Sequence, residues 1–154
     1  MNLLVDLWER IMIITDIKYL KQQSDLAIKE DYDIIISLLE EELNKVKDRG
    51  LGLSAIQIGY KKQIGLIKYG NNRIEIINPI IIEKYDKFRF KGESCLSLPF
   101  YPPIDTIRYK DITIETGFDR KQYCFYGIEA VAMQHEIDHM KGILITDRKW
   151  RKKK

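Results

Sequence analysis

Apolar and polar residues follow a helical period in the first half of the chain. Over residues 31–48 the apolar side chains recur about every 3.6 positions, at Ile35, Leu38, Leu39, Leu43 and Val46. This spacing predicts an N-terminal amphipathic α-helix of about four to five turns. Asp31 or Asp33 is its expected N-cap, and Gly50 lies shortly past its expected end.

Strand-like segments and a second helix follow. The strand-like segments are rich in Ile or alternate charged with aromatic residues, and they cover residues 63–69, 72–90 with Pro79 interrupting, 104–116 and 120–126. An apolar stretch from Gly127 then predicts a buried helix. This order predicts an α+β fold, in which mostly antiparallel strands pack around a central buried helix.

The predicted second helix carries an unusual set of polar residues. Residues 134–140 read Gln-His-Glu-Ile-Asp-His-Met, and His135 and His139 are the 2 histidines of the chain. Helical positions four apart share a face, so both imidazoles can bind one metal ion with Glu136 beside it. The alternative is a surface helix that happens to contain two histidines. Burial favours the metal site, because so many buried polar groups need partners.

A hydrolytic metal centre usually takes three protein ligands, so the two histidines need a third. The chain has 2 cysteines. Cys95 lies in a turn-rich stretch between Gly92 and Pro99, where a thiolate can reach a metal, whereas Cys124 alternates within a strand pattern and predicts core packing. Cys95 is therefore the expected third ligand. A nucleophilic cysteine paired with a histidine is the rival chemistry, but it leaves the helical histidine pair and Glu136 without a purpose.

A glycine-rich segment over residues 50–59 offers a further candidate site. Gly50 and Gly52 allow the backbone to approach a ligand or another strand closely. A phosphate loop is disfavoured, because no Lys-Ser/Thr pair follows and the segment does not follow a predicted strand. Gln57 lies among apolar neighbours, so its amide is either satisfied in the core or belongs to the site.

Length and composition predict one domain over residues 1–154, since 45% of the residues are hydrophobic. Residues 1–11 look weakly attached, so we expect a dispensable extension and a possible translation start at Met12. Asp6, Glu9 and Arg10 interrupt the place where a signal peptide needs an apolar core. No apolar run approaches the roughly 20 residues that cross a bilayer, so we expect a cytoplasmic protein without membrane contact. We also expect a monomer.

The positive charge is concentrated at the end of the chain. The formal net charge is +3, but residues 148–154 hold six positive charges, which leaves 20 positive against 23 negative charges on residues 1–147. A basic tail of this kind can contact nucleic acid or an anionic surface. A frayed terminus that only aids solubility is the alternative.

Three segments together resemble the peptide deformylase family. The family pattern G-φ-G-φ-A-A-x-Q-φ-G fits residues 50–59 with Ser54 in place of the first Ala, and E-G-C-L-S-φ-P fits residues 93–99 with Ser94 in place of Gly. The pattern Q-H-E-φ-D-H-L fits residues 134–140 with Met140 in place of Leu. The alignable region covers about residues 13–147. The resemblance implies a short form without the C-terminal helix of longer members, similar to forms from phages or organelles.

The resemblance implies a metal-dependent hydrolase that removes the formyl group from N-terminal formyl-methionine. Cys95, His135 and His139 would bind a divalent metal, natively Fe²⁺ with Zn²⁺, Ni²⁺ or Co²⁺ as substitutes. Glu136 would act as general base and then general acid. Gln57 and the backbone N–H of Leu96 would stabilise the oxyanion.

The same resemblance implies where the substrate binds. A formyl-Met peptide would lie extended along the backbone near Gly52 and Ser94. Its Met side chain would enter an apolar pocket formed by Leu51, Ile128 and Val131, with Phe100 as a further candidate. Two alternatives stand beside this function: a catalytically weak domain that binds formyl-Met termini or a partner, and an HExxH peptidase. No histidine follows His139 as the third ligand of such a peptidase.

Overall fold

The computed structural model describes residues 13–46 and 51–153. The expected extension 1–11, the alternative start at Met12, Asp48 and the expected helix-ending Gly50 lie outside these residues. Within the described ranges, no helix is long and apolar enough to cross a membrane.

The fold is α+β, with two antiparallel sheets and few helices. Helices α1 (Ile17–Leu20) and α2 (Lys29–Lys45) come first, and α3 (Gly127–Met140) follows the last strand. The first sheet contains β1 (Gly52–Ser54), β2 (Ile64–Tyr69) and β3 (Asn72–Ile77) in that order. The second contains β4 (Ile80–Glu93), β5 (Ile104–Thr116) and β6 (Lys121–Tyr126) in that order. Two 3₁₀ helices cover Ala55–Ile58 and Ile145–Arg148.

Helix α2 confirms the predicted amphipathic helix but begins two residues earlier. Its N-cap is Ile28, so the expected caps Asp31 and Asp33 were wrong. Asp31 instead stands at the third helical position and its carboxylate accepts the Ile28 backbone N–H at 2.9 Å. A carboxylate there satisfies an unpaired N–H of the first turn from inside the helix. The apolar face of α2 packs on the first sheet.

Helix α3 packs against strands of both sheets. It packs against β1 and β2 of the first sheet and against β5 and β6 of the second. Ten of its residues are buried, including Gln134, Glu136, Asp138 and His139. Because apolar and polar residues are both buried here, the polar groups need partners inside the protein.

The predicted core position of Cys124 was wrong. Its side chain is exposed on β6, and its sulfur lies 3.4 Å from the Thr113 hydroxyl on the neighbouring strand. Successive residues of a strand point to opposite faces, and Phe125 takes the inward position next to it. Residues of this segment do alternate between two faces as predicted, but Phe125 lies on the inward face and Cys124 on the outward one.

The basic C-terminal segment is partly ordered against the second sheet. Arg148 ends the second 3₁₀ helix and pairs with Asp138, and Lys149 forms an isolated β-bridge with Thr106. The backbone N–H of Trp150 donates to the backbone carbonyl of Asp105 at 2.7 Å. The Arg89 guanidinium lies 3.9 Å from the centre of the Trp150 ring. A frayed terminus is therefore wrong for residues 148–150, while residues 151–153 are exposed.

Candidate metal centre

Three potential metal ligands meet where α3 faces the turn after β4. The nearest donor atoms of Cys95, His135 and His139 all lie within 4.8 Å of one another. The Cys95 sulfur lies 3.3 Å from His139 Nε2, and the two imidazole Nε2 atoms lie 3.2 Å apart. The helix aligns the two rings because one turn separates them, and the tight turn at residues 96–97 brings the thiol to them.

This donor set fits a single divalent transition metal. Tetrahedral coordination with bonds of about 2.0–2.3 Å places donor atoms roughly 3.3–3.6 Å apart, close to the two shorter separations here. Burial and the neighbouring His135 lower the pKa of His139, so its imidazole is the neutral form that binds metals. One thiolate and two imidazoles suit Fe²⁺, Zn²⁺, Ni²⁺ or Co²⁺ better than Mg²⁺ or Ca²⁺.

A buried ion network holds His135 in place. Glu93, at the end of β4, lies 2.8 Å from His135 Nδ1 and accepts a hydrogen bond from Arg108 Nε at 2.9 Å. Burial opposes ionisation of Glu93, but hydrogen bonds from His135 and Arg108 lower its pKa to about 2. An ionised Glu93 binds the Nδ1 side of the His135 ring, so Nε2 is the ring nitrogen that faces the other two ligands.

The same network reaches the C-terminal segment. Arg108 Nη1 donates to Asp138 Oδ2 at 2.6 Å, and Arg148 Nη2 donates to Asp138 Oδ1 at 2.9 Å. Arg108 is only 2% exposed, so both of its carboxylate partners neutralise a charge that would otherwise be costly to bury. β4, β5, α3 and the second 3₁₀ helix are thereby joined behind the candidate metal centre.

Glu136 lies beside the three ligands with its carboxylate held by β1. The Ser54 hydroxyl donates to Glu136 Oε2 at 2.8 Å. A Cβ atom added at Gly52 would lie 2.8 Å from Glu136 Oε1, so only glycine leaves room for the carboxylate. Burial raises the pKa of Glu136 against the opposing effects of His135 and the Ser54 hydrogen bond. A carboxyl group with a raised pKa can both accept and return a proton.

The side-chain amide of Gln57 is hydrogen-bonded within the protein and also belongs to the site, so both expected alternatives hold. Its Oε1 accepts the Ser54 backbone N–H at 2.9 Å, which turns its Nε2 toward the Cys95 turn. That Nε2 donates to the Ser97 hydroxyl at 3.0 Å and lies 3.9 Å from the Cys95 sulfur. Gln57 is 1% exposed by surface area and still contributes to the wall of the cleft beside the ligands.

A cavity of about 200 Å³ opens beside the ligands, and all but one of the substrate-binding residues expected from the sequence line it. These lining residues are Leu51, Gly52, Ser94, Ile128 and Val131. Leu96, the expected oxyanion donor, lines the cavity as well. Phe100 is the exception, because it is 95% exposed and does not line the cavity. Phe90 on β4 supplies an aromatic wall in its place.

Sequence reasoning missed the residues that support the centre. Glu93 was part of a motif but had no assigned role, and Arg108, Asp138 and Phe90 had none. Alternating charged and aromatic residues on β4 and β5 carried a weak signal, since a charged residue at an inward strand position needs a buried partner. Nothing in the linear order paired Arg108 with Asp138, which follows it by 30 positions.

An α+β fold that directs a thiol, two imidazoles and a carboxylate into one cleft has the composition of a metal-dependent hydrolase. A family model described as polypeptide deformylase matches residues 9–154. The chain belongs to the polypeptide deformylase family.

Individual relatives agree over most of the chain. It is 37% identical over 136 residues to the peptide deformylase of Clostridium beijerinckii, which covers 86% of this chain and 97% of that one. The crystal structure of the Thermotoga maritima peptide deformylase matches with a TM-score of 0.79 and 28% identity, over 92% of this chain and 97% of that one. A probable peptide deformylase from synechococcus phage S-SSM7 matches with the same TM-score and identity, over 90% and 99%.

Proposed function

We propose that this chain removes the N-formyl group from the N-terminal formyl-methionine of nascent polypeptides, with release of formate. Family membership over residues 9–154 supports this activity. The observation that carries it in the structure is the convergence of Cys95, His135 and His139 within 4.8 Å at the end of a cavity. The whole chain acts as one such domain, with the HExxH helix at its centre.

Cys95, His135 and His139 are the ligands of one divalent metal ion. A bound metal would supply Lewis-acid polarisation of the formyl carbonyl and would lower the pKa of a water molecule. Glu93 orients His135 through Nδ1, and Arg108 keeps Glu93 ionised. The protein residues thus fix both the position and the protonation of the ligand set.

Glu136 is the general base and then the general acid. Its carboxylate accepts a proton from the attacking water and gives it to the nitrogen of methionine as the C–N bond breaks. The products are formate and a free amino terminus. The Ser54 hydrogen bond and the space at Gly52 keep the carboxylate beside the ligands during both transfers.

Gln57 and Leu96 stabilise the negative charge that develops on the formyl oxygen. The Gln57 amide is oriented in advance by its bonds to Ser54 and Ser97, so it need not reorganise during the reaction. Leu96 follows the Cys95 ligand directly and lines the same cavity, where its backbone N–H is the second donor.

The peptide binds as an extended strand between Gly52 and Ser94. Both residues line the cavity from opposite sides, β1 on one and the end of β4 on the other. The methionine side chain packs against Leu51, Ile128 and Val131, with Phe90 completing the apolar wall. Ser94 adds a hydroxyl beside the path of the peptide.

The native metal is Fe²⁺, with Zn²⁺, Ni²⁺ and Co²⁺ as functional substitutes. A thiolate beside Fe²⁺ is open to oxidation by oxygen or peroxide through the cavity. Iron-loaded protein should therefore lose activity in air faster than nickel-loaded protein. Equal lifetimes of the two forms in air would contradict this prediction of oxidation at the iron centre.

The enzyme acts as a cytoplasmic monomer, in the host cytoplasm or an organelle if its origin is phage or organellar. Its partners are formyl-Met peptides and, through the basic tail, the ribosome. The six positive charges of residues 148–154 support an electrostatic contact with ribosomal RNA.

Formate release tests the function directly. Protein purified without oxygen and assayed for metal should release formate from a formyl-Met tripeptide, and not from the same tripeptide with a free amino terminus. The alternative function, binding of formyl-Met termini without turnover, predicts peptide binding and no formate. An internal peptidase would instead cleave a peptide bond within the same tripeptide when its amino terminus carries an acetyl group.

A further inference from the structure

We propose that Ser54 is a positioning residue that holds the Glu136 carboxylate in its catalytic orientation, an assignment that rests on the proposed function. The Ser54 side chain is 0% exposed. Its Oγ lies 2.8 Å from Glu136 Oε2 and 2.9 Å from the Glu136 backbone oxygen. The hydroxyl has a single proton, which Oε2 and the backbone oxygen share in a three-centre hydrogen bond or accept in turn, so Oε2 is held beside the main chain of Glu136.

The short strand β1 controls both oxygens of the carboxylate. Residues two apart on a strand face the same side, so Gly52 and Ser54 both point toward α3. Ser54 donates to Oε2, while the missing Cβ at Gly52 leaves the space that Oε1 occupies. Pairing of Ser54 with Gly65 on β2 holds the strand in this register.

Ser54 is also the sole hydrogen-bond donor to the Glu136 carboxylate within residues 13–46 and 51–153. Glu136 is 3% exposed, so solvent contributes little to its orientation. Without the hydroxyl, the carboxylate would be free to take other staggered rotamers in the cavity. A general base has to stay within hydrogen-bonding reach of the proton it accepts, so each such rotamer lowers the reactive fraction.

A side chain that acts only through Glu136 should affect turnover and not substrate binding. Ser54 does not line the substrate cavity, which predicts an unchanged KM. The contact that orients Gln57 comes from the Ser54 backbone N–H and is kept when the side chain is shortened. Alanine is the residue of the family motif at this position, so Ser54→Ala should fold.

The first test compares Ser54→Ala with wild type and with Ser24→Ala. Loss of one hydrogen bond to a carboxylate predicts a kcat lowered about ten- to a hundredfold, with KM and metal content unchanged. Ser24 is a matched control, because it is 3% exposed and its hydroxyl has no partner in the described structure. Ser24→Ala should keep the wild-type kcat.

A double-mutant cycle shows whether Ser54 acts through Glu136. Ser54→Ala should lower the residual kcat no further in a Glu136→Ala background. In metal-free protein, the effects of the two substitutions on the urea midpoint should likewise not add. A wild-type kcat for Ser54→Ala, or an equal loss in both backgrounds, would overturn the assignment. Absence of formate release by the wild type would instead overturn the proposed function.

Discussion

At the scale of single residues, the two cysteines show how position decides chemistry. The Cys95 sulfur faces His139 Nε2 at 3.3 Å, whereas Cys124 is exposed on β6. Cys95→Ala should lose the bound metal, because two imidazoles remain where a hydrolytic centre usually needs three protein ligands. Cys124→Ala is the control and should keep it. Elemental analysis of both proteins distinguishes the cases, and full metal content in Cys95→Ala would refute the ligand assignment.

Substitution of Glu136, also a single residue, tests catalysis independently of metal binding. Glu136→Ala should keep the metal, since the three ligands do not include it, and should lose general acid–base catalysis worth ~10²–10⁴-fold in kcat. Glu129→Ala is a matched control on the same helix, where the carboxylate accepts a hydrogen bond from Asn72 and does not line the cavity. Formate kinetics provide the measurement. A near-wild-type kcat for Glu136→Ala would remove Glu136 from the mechanism.

At the scale of elements, stability at the site depends on a buried arginine that joins three of them. Arg108 on β5 pairs with Glu93 on β4 and Asp138 on α3. Arg108→Ala would leave the buried Glu93 without its arginine and Asp138 with Arg148 alone, which predicts a loss of about 3–5 kcal/mol in the free energy of unfolding. Urea unfolding with metal present gives the measurement.

Arg148 provides the control for this prediction. It pairs with the same Asp138, but its side chain is 42% exposed. Partly solvated pairs of this kind contribute about 0–1 kcal/mol, so Arg148→Ala should be much milder. Losses of similar size in the two variants would show that burial does not determine how much Arg108 contributes to the free energy of unfolding.

At the scale of the whole molecule, the basic tail divides into an anchored and an exposed part. Lys149 and Trp150 are attached to β5, whereas residues 151–153 are exposed. Deleting residues 151–154 removes four of the six positive charges of the tail without disturbing the anchor. If the tail binds ribosomal RNA, the deletion should flatten the salt dependence of ribosome binding.

Co-sedimentation with ribosomes over a range of salt concentrations measures this dependence. A variant with residues 151–154 replaced by Gly and Ser keeps the length and should behave like the deletion. Both variants should still release formate from a short free peptide, since every residue that lines the cleft precedes the tail. Pelleting that is the same with and without the four charges would leave the tail a solubilising segment.

The sequence alone determined the features that depend on local spacing. A separation of four residues on a helix places His135 and His139 on one face. Segments that are rich in Ile or that alternate charged with aromatic residues mark the strands now seen as β2 to β6. Three motifs in order identified the family. These predictions succeeded because each depends on neighbours in the chain, whose geometry the backbone largely imposes.

Tertiary structure decided everything that depends on which distant residues meet. The alternation around Cys124 did not reveal which face is inward, and Phe100 was placed in a pocket that Phe90 lines instead. The partners of Glu136 and Asp138 come from β1 and β5, far along the chain. Burying a polar group requires some partner, but only the packing of helix against sheet selects the residue that supplies it.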